Sequence, residues 1–281
     1  MTTMQDAAQL DQLEQPAWRV KLAPYARPHL GRSAIDLATS VVPYLALSVA
    51  IWFALQASLL LALVLAVPTA GFLLRTYIIF HDCAHGSFLR SKRANSWLGI
   101  GTGLLVYSNY QSWRHNHAVH HATAGDLDRR GTGDVPTLTV EEYNSAVRGK
   151  RMGYWLFRHP LVMFVLGPIW ALVVSPRLVS KNMRPRMKRA VWLTNVAVAL
   201  MVGGLVFLIG WQDYLLTIWP AAWLAGAAGV FLFYVQHQFE DVYWVSADCW
   251  SYDDAALRGS SHLKLPKVLQ FFTGNIGLHH V

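Results

Sequence analysis

The sequence predicts an all-α, multi-pass integral membrane protein: four transmembrane helices in two hairpins, carrying a cytoplasmic, histidine-rich cap. Three observations point there. Hydrophobic residues make up 54% of the 281 and charged residues only 14%, against about 25% charged in soluble domains, and the mean hydropathy is +0.28. Four apolar stretches are each long enough to span a bilayer, and they pair across two very short turns. Finally, histidines recur in close spacings, and two of the four stretches run directly into them.

The first pair of stretches covers 34–55 and 58–80, joined at Gln56-Ala57-Ser58. The second covers 190–210 and 214–235, joined by Trp211-Gln212-Asp213. Each meets the roughly 20 residues needed to cross the hydrocarbon core, and the Trp and Tyr at their ends suit the interface. Two weaker stretches, 96–107 and 160–174, are short and contain Gly or Pro. Segments of that kind dip into a membrane more readily than they cross it, and basic residues flank each on both sides. Four spans are therefore expected, with six as the alternative. Neither tight turn carries Lys or Arg. Arg75 aside, the cations lie in the amino-terminal arm, the central region and the carboxy-terminal region, all of which the positive-inside rule assigns to the cytoplasm.

The same distribution accounts for the net charge of +8. Basic runs such as Arg90-Ser91-Lys92-Arg93 and Arg184-Pro185-Arg186-Met187-Lys188-Arg189 sit between apolar segments, as topology requires, so no nucleic acid is expected. Cys83 and Cys249 form no framework and no Cys-x-x-Cys motif. The polar arm, residues 1–33, does not read as a secretory signal peptide.

The histidines fall at matching depth. His81 and His85 form His-x-x-x-His at the end of the second stretch, and residues four apart share a helical face. His117, His120 and His121 form His-x-x-His-His, again one face of a helix. His237 directly follows the fourth stretch, and His279 and His280 close the sequence. Imidazole suits iron, zinc, copper or nickel. A histidine set without cysteine disfavours a structural zinc finger, and His-Glu-x-x-His is absent. The ligands exceed the needs of one metal, so two metals is the economical reading. Among the other histidines, His29 reads as a surface residue and His159 as interfacial. His262 lies in a polar turn. His115 sits about 200° round a helix from His117, placing it behind the ligands. Asp82, Asp126, Asp128, Asp134, Glu240 and Asp241 lie near the ligand groups, where carboxylates orient metal-bound imidazoles; solvated surface charge is the alternative for each.

These motifs carry a family resemblance. His81-Asp82-Cys83-Ala84-His85-Gly86-Ser87 resembles the first histidine box of membrane fatty acid desaturases. Trp113-Arg114-His115-Asn116-His117-Ala118-Val119-His120-His121 resembles the second, and Asn275-Ile276-Gly277-Leu278-His279-His280-Val281 the start of the third. Tyr234-Val235-Gln236-His237-Gln238-Phe239-Glu240-Asp241, with Trp244, is similar to the acyl-lipid branch, bacterial omega-6 or delta-12 enzymes included. The resemblance implies one desaturase domain over residues 34–281. It also implies two iron ions, held by His81, His85, His117, His120, His121, His237 and His279, and a hydrophobic tunnel for the acyl chain. The implied reaction is oxygen-dependent desaturation of lipid-bound acyl chains, leaving a cis double bond, at the twelfth carbon of oleoyl lipids if the branch is right. No fused electron carrier is visible, so a separate ferredoxin or cytochrome b5 type donor is implied, and a bacterial cytoplasmic membrane is the expected setting. The His-x-x-His-His spacing places two further ligands beyond Val281. The domain therefore reads as breaking off inside the third box, and residues 1–281 alone are expected to be inactive. His280 falls at an intervening position and is not counted as a ligand. A membrane di-iron hydroxylase or ketolase shares these motifs, and a non-enzymatic metal-binding membrane protein is the alternative from another class.

Overall fold

The computed structural model describes residues 21–278. Helices dominate, and no strand is formed among the described residues; the extended contacts amount to one isolated bridge between Asp126 and Val245. Four helices are long and apolar enough to cross a membrane: α1 (Leu30–Leu55), α2 (Leu59–His85), α7 (Pro185–Ile209) and α8 (Trp211–His237). Between them lie α3 (Lys92–Leu105), α4 (Tyr110–Thr123), α5 (Val140–Ser145) and α6 (Arg148–Arg158); α9 (Tyr252–Arg258) and α10 (Lys267–Thr273) follow α8.

Local sequence explains the boundaries. Ser58 caps α2 by accepting a hydrogen bond from the Leu61 amide, and Gly86 ends it in the left-handed region at φ 73°. That conformation favours glycine, which has no Cβ to clash. Asn109 caps α4 through the Ser112 amide at 2.8 Å. Its amide nitrogen meanwhile donates to the Ala190 carbonyl at 2.9 Å and to Thr194 at 2.7 Å, fastening α4 to α7.

The hairpins align turn to turn. Trp52 and Gln56, at the end of α1, both donate to Asp213 at the start of α8, at 3.2 and 3.3 Å. Both tight turns therefore lie at one end of the bundle, and the histidine-bearing ends of α2 and α8 lie at the other. α2 is the hub, with α1, α3, α8 and α10 packed on it. Its buried positions include Leu73, Leu74, Ile79 and Phe80, whereas Val191 is the one buried residue of α7. α7 leaves Trp192, Leu200 and Phe207 exposed, as a helix facing lipid does.

The weaker stretches behave differently from the four spans. The first is the 14-residue α3, too short to cross. The second is an irregular run, Val162–Arg177, bent by 66° against α6; if that bent pair crosses, the spans number five.

Candidate metal centre

Three helix ends supply the site's histidines. The last turn of α2 carries His81 and His85, α4 carries His117, His120 and His121, and α8 ends on His237. Six of the seven histidines expected as ligands therefore converge. The seventh, His279, lies outside the described residues, as does His280.

The six form two groups. In the first, Nε2 of His85 lies 3.2 Å from Nε2 of His81 and 2.9 Å from Nε2 of His117, which is itself 3.1 Å from Nε2 of His121. In the second, Nε2 of His120 lies 3.2 Å from Nε2 of His237. Two nitrogens bound at right angles to one ion at about 2.1 Å each are about 3.0 Å apart. The observed spacings are those of neighbouring ligands on a shared ion.

Tautomers strengthen that reading. Nδ1 of His237 faces the Gly259 carbonyl at 3.3 Å, and Nδ1 of His120 lies 2.6 Å from Asp134. A carbonyl and a carboxylate only accept, so both imidazoles carry their proton on Nδ1. Both Nε2 atoms then present lone pairs to each other, which is unfavourable until a cation sits between them. His81 is oriented in the same way, its Nδ1 at 2.9 Å from Asp82. The donor set therefore fits metal, and it is the imidazole-rich set that iron accepts.

Burial keeps His117 and His121 neutral. The pKa of His117 falls far below its ordinary value, and that of His121 falls to about 2; in each case desolvation is the largest cause and neighbouring imidazoles the next. Neutral imidazole is the form that binds metal. The stacked Trp113 ring, 4.3 Å from that of His117, helps to exclude water, and it also meets Phe80 and Tyr77.

Of the six carboxylates flagged by sequence, two contact imidazoles of the converging set. Asp134 is buried on His120, and Asp82 sits beside His81. Asp126 is buried but bound to Arg129 and to the Asp128 and Arg129 amides, so it shapes the loop. Asp128 accepts from the Ala247 amide at 2.9 Å, and Glu240 and Asp241 are exposed. Two contributors escaped sequence reasoning. Trp113, quoted only as part of a motif, lies four residues before His117 on the same face. Gly259 acts through its backbone carbonyl and leaves no sequence signal. His115 and His262 are exposed, His29 caps α1, and His159 ends α6 against Trp155.

A family model described as "Fatty acid desaturase" matches residues 55–281. The chain belongs to the fatty acid desaturase family. A "Fatty acid desaturase" from Bacillus subtilis is 45% identical over 261 residues, covering 93% of this chain and 74% of that protein. An "sn-1 acyl-lipid omega-3 desaturase (ferredoxin)" from Synechocystis sp. is 32% identical over 195 residues, 64% of this chain and 51% of the relative. An "sn-1 oleoyl-lipid 12-desaturase" from Arthrospira platensis is 25% identical over 245 residues, 84% of this chain and 65% of the relative. The chain thus spans about half the length of the Synechocystis protein and just under two thirds of the Arthrospira one. Membership of this family makes the chain an oxidoreductase acting on lipid and sets aside a non-enzymatic metal-binding protein. Four apolar helices agree with a membrane setting.

Proposed function

We propose that this desaturase uses two irons and molecular oxygen to remove two hydrogens from neighbouring methylenes of a lipid-bound acyl chain, leaving a cis double bond. The observation that carries the proposal is the division of six imidazoles into two groups whose Nε2 atoms converge, while partners hold Nδ1 of His81, His120 and His237. His81, His85, His117 and His121 would hold one iron. His120 and His237 would begin the set for the other, with His279 joining them as the proposed seventh ligand. Bound there, the irons supply the oxidising power that acid–base side chains lack, with oxygen leaving as water.

The protein's own residues do the rest. Asp82, Asp134 and the Gly259 carbonyl hold each Nδ1 proton and so keep each Nε2 lone pair aimed inward. Trp113, Phe80 and Tyr77 wall the site on its membrane side and exclude water from it. The lipid-facing apolar helices bring acyl chains alongside the bundle. A bacterial inner membrane is the proposed setting, and basic loops at the histidine end favour a cytoplasmic position for that end by the positive-inside rule. They would also steer a separate acidic donor, a ferredoxin or cytochrome b5 type protein, to it; the Synechocystis relative's own name includes ferredoxin.

The finer assignment, attack at the twelfth carbon of oleoyl lipids, draws on the motif resemblance and on the name of the Arthrospira relative. The test is expression of the full-length protein in a host without polyunsaturated lipids, followed by fatty acid analysis. A new cis double bond supports desaturation, and its position settles the carbon. A hydroxylated chain in its place would assign the protein to hydroxylase chemistry. Protein made under iron-replete, zinc-limited conditions should carry about two irons per chain, since one metal cannot use all these ligands; stoichiometric zinc would refute the di-iron assignment.

A further inference from the structure

Arg75 is the one cation in the four apolar stretches 34–55, 58–80, 190–210 and 214–235. An intramembrane charge needs partners and marks function by default. Its side chain is 12% exposed and spreads over three elements. Nη2 pairs with Asp36 of α1 at 2.6 Å, and Nε donates to Ser40 at 2.9 Å. Nη1 donates to the backbone carbonyl of Phe271 in α10, while the guanidinium lies 4.0 Å from the centre of the Phe271 ring.

The third contact is the informative one. Pairing α1 with α2 requires only Asp36, and an ammonium would serve. The guanidinium fork reaches past that pair to a short helix whose Phe271 and Phe272 rings also pack on Phe72. α10 lies along one face of α2, at positions 71, 75 and 78. A Cβ on Gly71 would sit 2.7 Å from the Phe272 ring, and a Cβ on Gly274 would sit 2.9 Å from Ile78, so both glycines permit close approach. Beyond α10, the buried Gln236 amide donates to the Ile276 carbonyl at 2.8 Å. The Leu263 amide donates to Gly277 at 3.2 Å. Leu278 follows, and His279 is the next residue in sequence.

We propose that Arg75 is a positioning residue: it docks α10 on the spanning bundle, and so sets where the chain runs on to His279. This rests on the reading of His279 as a ligand, but the docking itself is measurable without metal. Arg suits the task because its planar, rigid fork serves a carboxylate, a hydroxyl and a carbonyl together, which a lysine ammonium does not.

The experiment uses full-length protein with Cys249→Ser, leaving only the buried Cys83 among the native cysteines of residues 1–281, and a nitroxide at Val268→Cys on the exposed side of α10. Three further variants are compared by spin-label mobility, iron per chain and kinetics. Arg75→Lys keeps the charge opposite Asp36 and should release the label into a mobile state. Turnover should fall roughly 10- to 100-fold, as for loss of groups that orient ligands, with KM for the acyl lipid unchanged. Asp36→Asn removes the ion pair but keeps the fork, and should leave the label immobile. Gly71→Ala adds the clashing Cβ without touching charge, and should free the label as Arg75→Lys does even if Arg75 variants insert poorly. An immobile label in Arg75→Lys, or equal release by Asp36→Asn, overturns the proposal. A labelled parent that makes no unsaturated product, but whose immobile label is released by Arg75→Lys, leaves the docking proposal standing and counts against the desaturase reading instead.

Discussion

The two imidazole groups are built in different ways. The group of four comes from the end of α2 and the facing side of α4, and it is partly open: His85 is exposed, and the orienting Asp82 is 40% exposed and next in sequence to His81. The pair His120–His237 joins α4 to α8 and is closed. Both rings are buried, and Asp134 is 4% exposed and reached only through a loop. One group is made by helical spacing, so its geometry survives local change. The other depends on distant segments arriving together, so its geometry is carried by the residues that clamp it.

If both groups hold catalytic metal, the largest effect comes from removing one ligand of either. His117→Ala and His237→Ala should each abolish turnover and lower bound iron while the protein still inserts. The double variant should be no worse in turnover than either single one, because ligands acting as one unit do not add. Iron content and product analysis at matched membrane levels are the measurements. Most activity surviving in His237→Ala would remove the pair from the metal centre and leave the group of four alone.

The clamps give the next effect. Asp134→Ala should cost roughly 10- to 100-fold in activity or metal affinity, the usual loss for a carboxylate that orients a ligand. Asp82→Ala should cost only a few-fold, because solvent already screens that carboxylate. Metal titration of both variants decides the matter, and equal losses would mean that burial does not separate the groups.

Sequence made the open group legible and left the closed one half read. His81 with His85, and His117 with His121, follow from four-residue spacing on helices, and α2 runs unbroken to His85. His237 was legible from its depth. Asp134 was flagged but not separated from Asp126, although both are buried. Sorting them requires the loop: Gly131 and Gly133, at φ 110° and 76°, turn the chain where Asp134 meets His120, whereas Asp126 is held locally by Arg129 three residues on. The spans show the same limit. α2 and α7 read alike as apolar runs, yet one is the hub of the core and the other is nearly bare, because hydropathy cannot tell a helix neighbour from a lipid.

A smaller effect should appear with pH in metal-free protein. His121 titrates at about 2 in the fold against an ordinary 6.5, and His117 is depressed as well. Below the ordinary value the unfolded chain binds protons that the folded chain refuses. Stability is therefore whole above pH 6.5 and is lost as pH falls from there toward the folded values. Denaturation midpoints measured in detergent between about pH 7.5 and pH 5 should fall with acidity, since the unfolded state gains the protons. A flat profile would mean that these rings are more hydrated than their burial implies.

The smallest effect belongs to the histidine nearest the ligands in sequence and outside both groups. His115 lies two residues before His117 in the same helix, about 200° away around its axis. It is exposed, whereas His117, His120 and His121 face the site. His115→Ala removes no nitrogen from either group and opens no cavity, and alanine is a strong helix former. Activity should therefore stay within a few-fold of the parent, beside complete loss in His117→Ala. A loss equal to that of His117→Ala would mean that α4 turns its other face to the metal during the reaction. The separation of an open group from a closed pair would then fail, since both groups depend on how α4 is rotated.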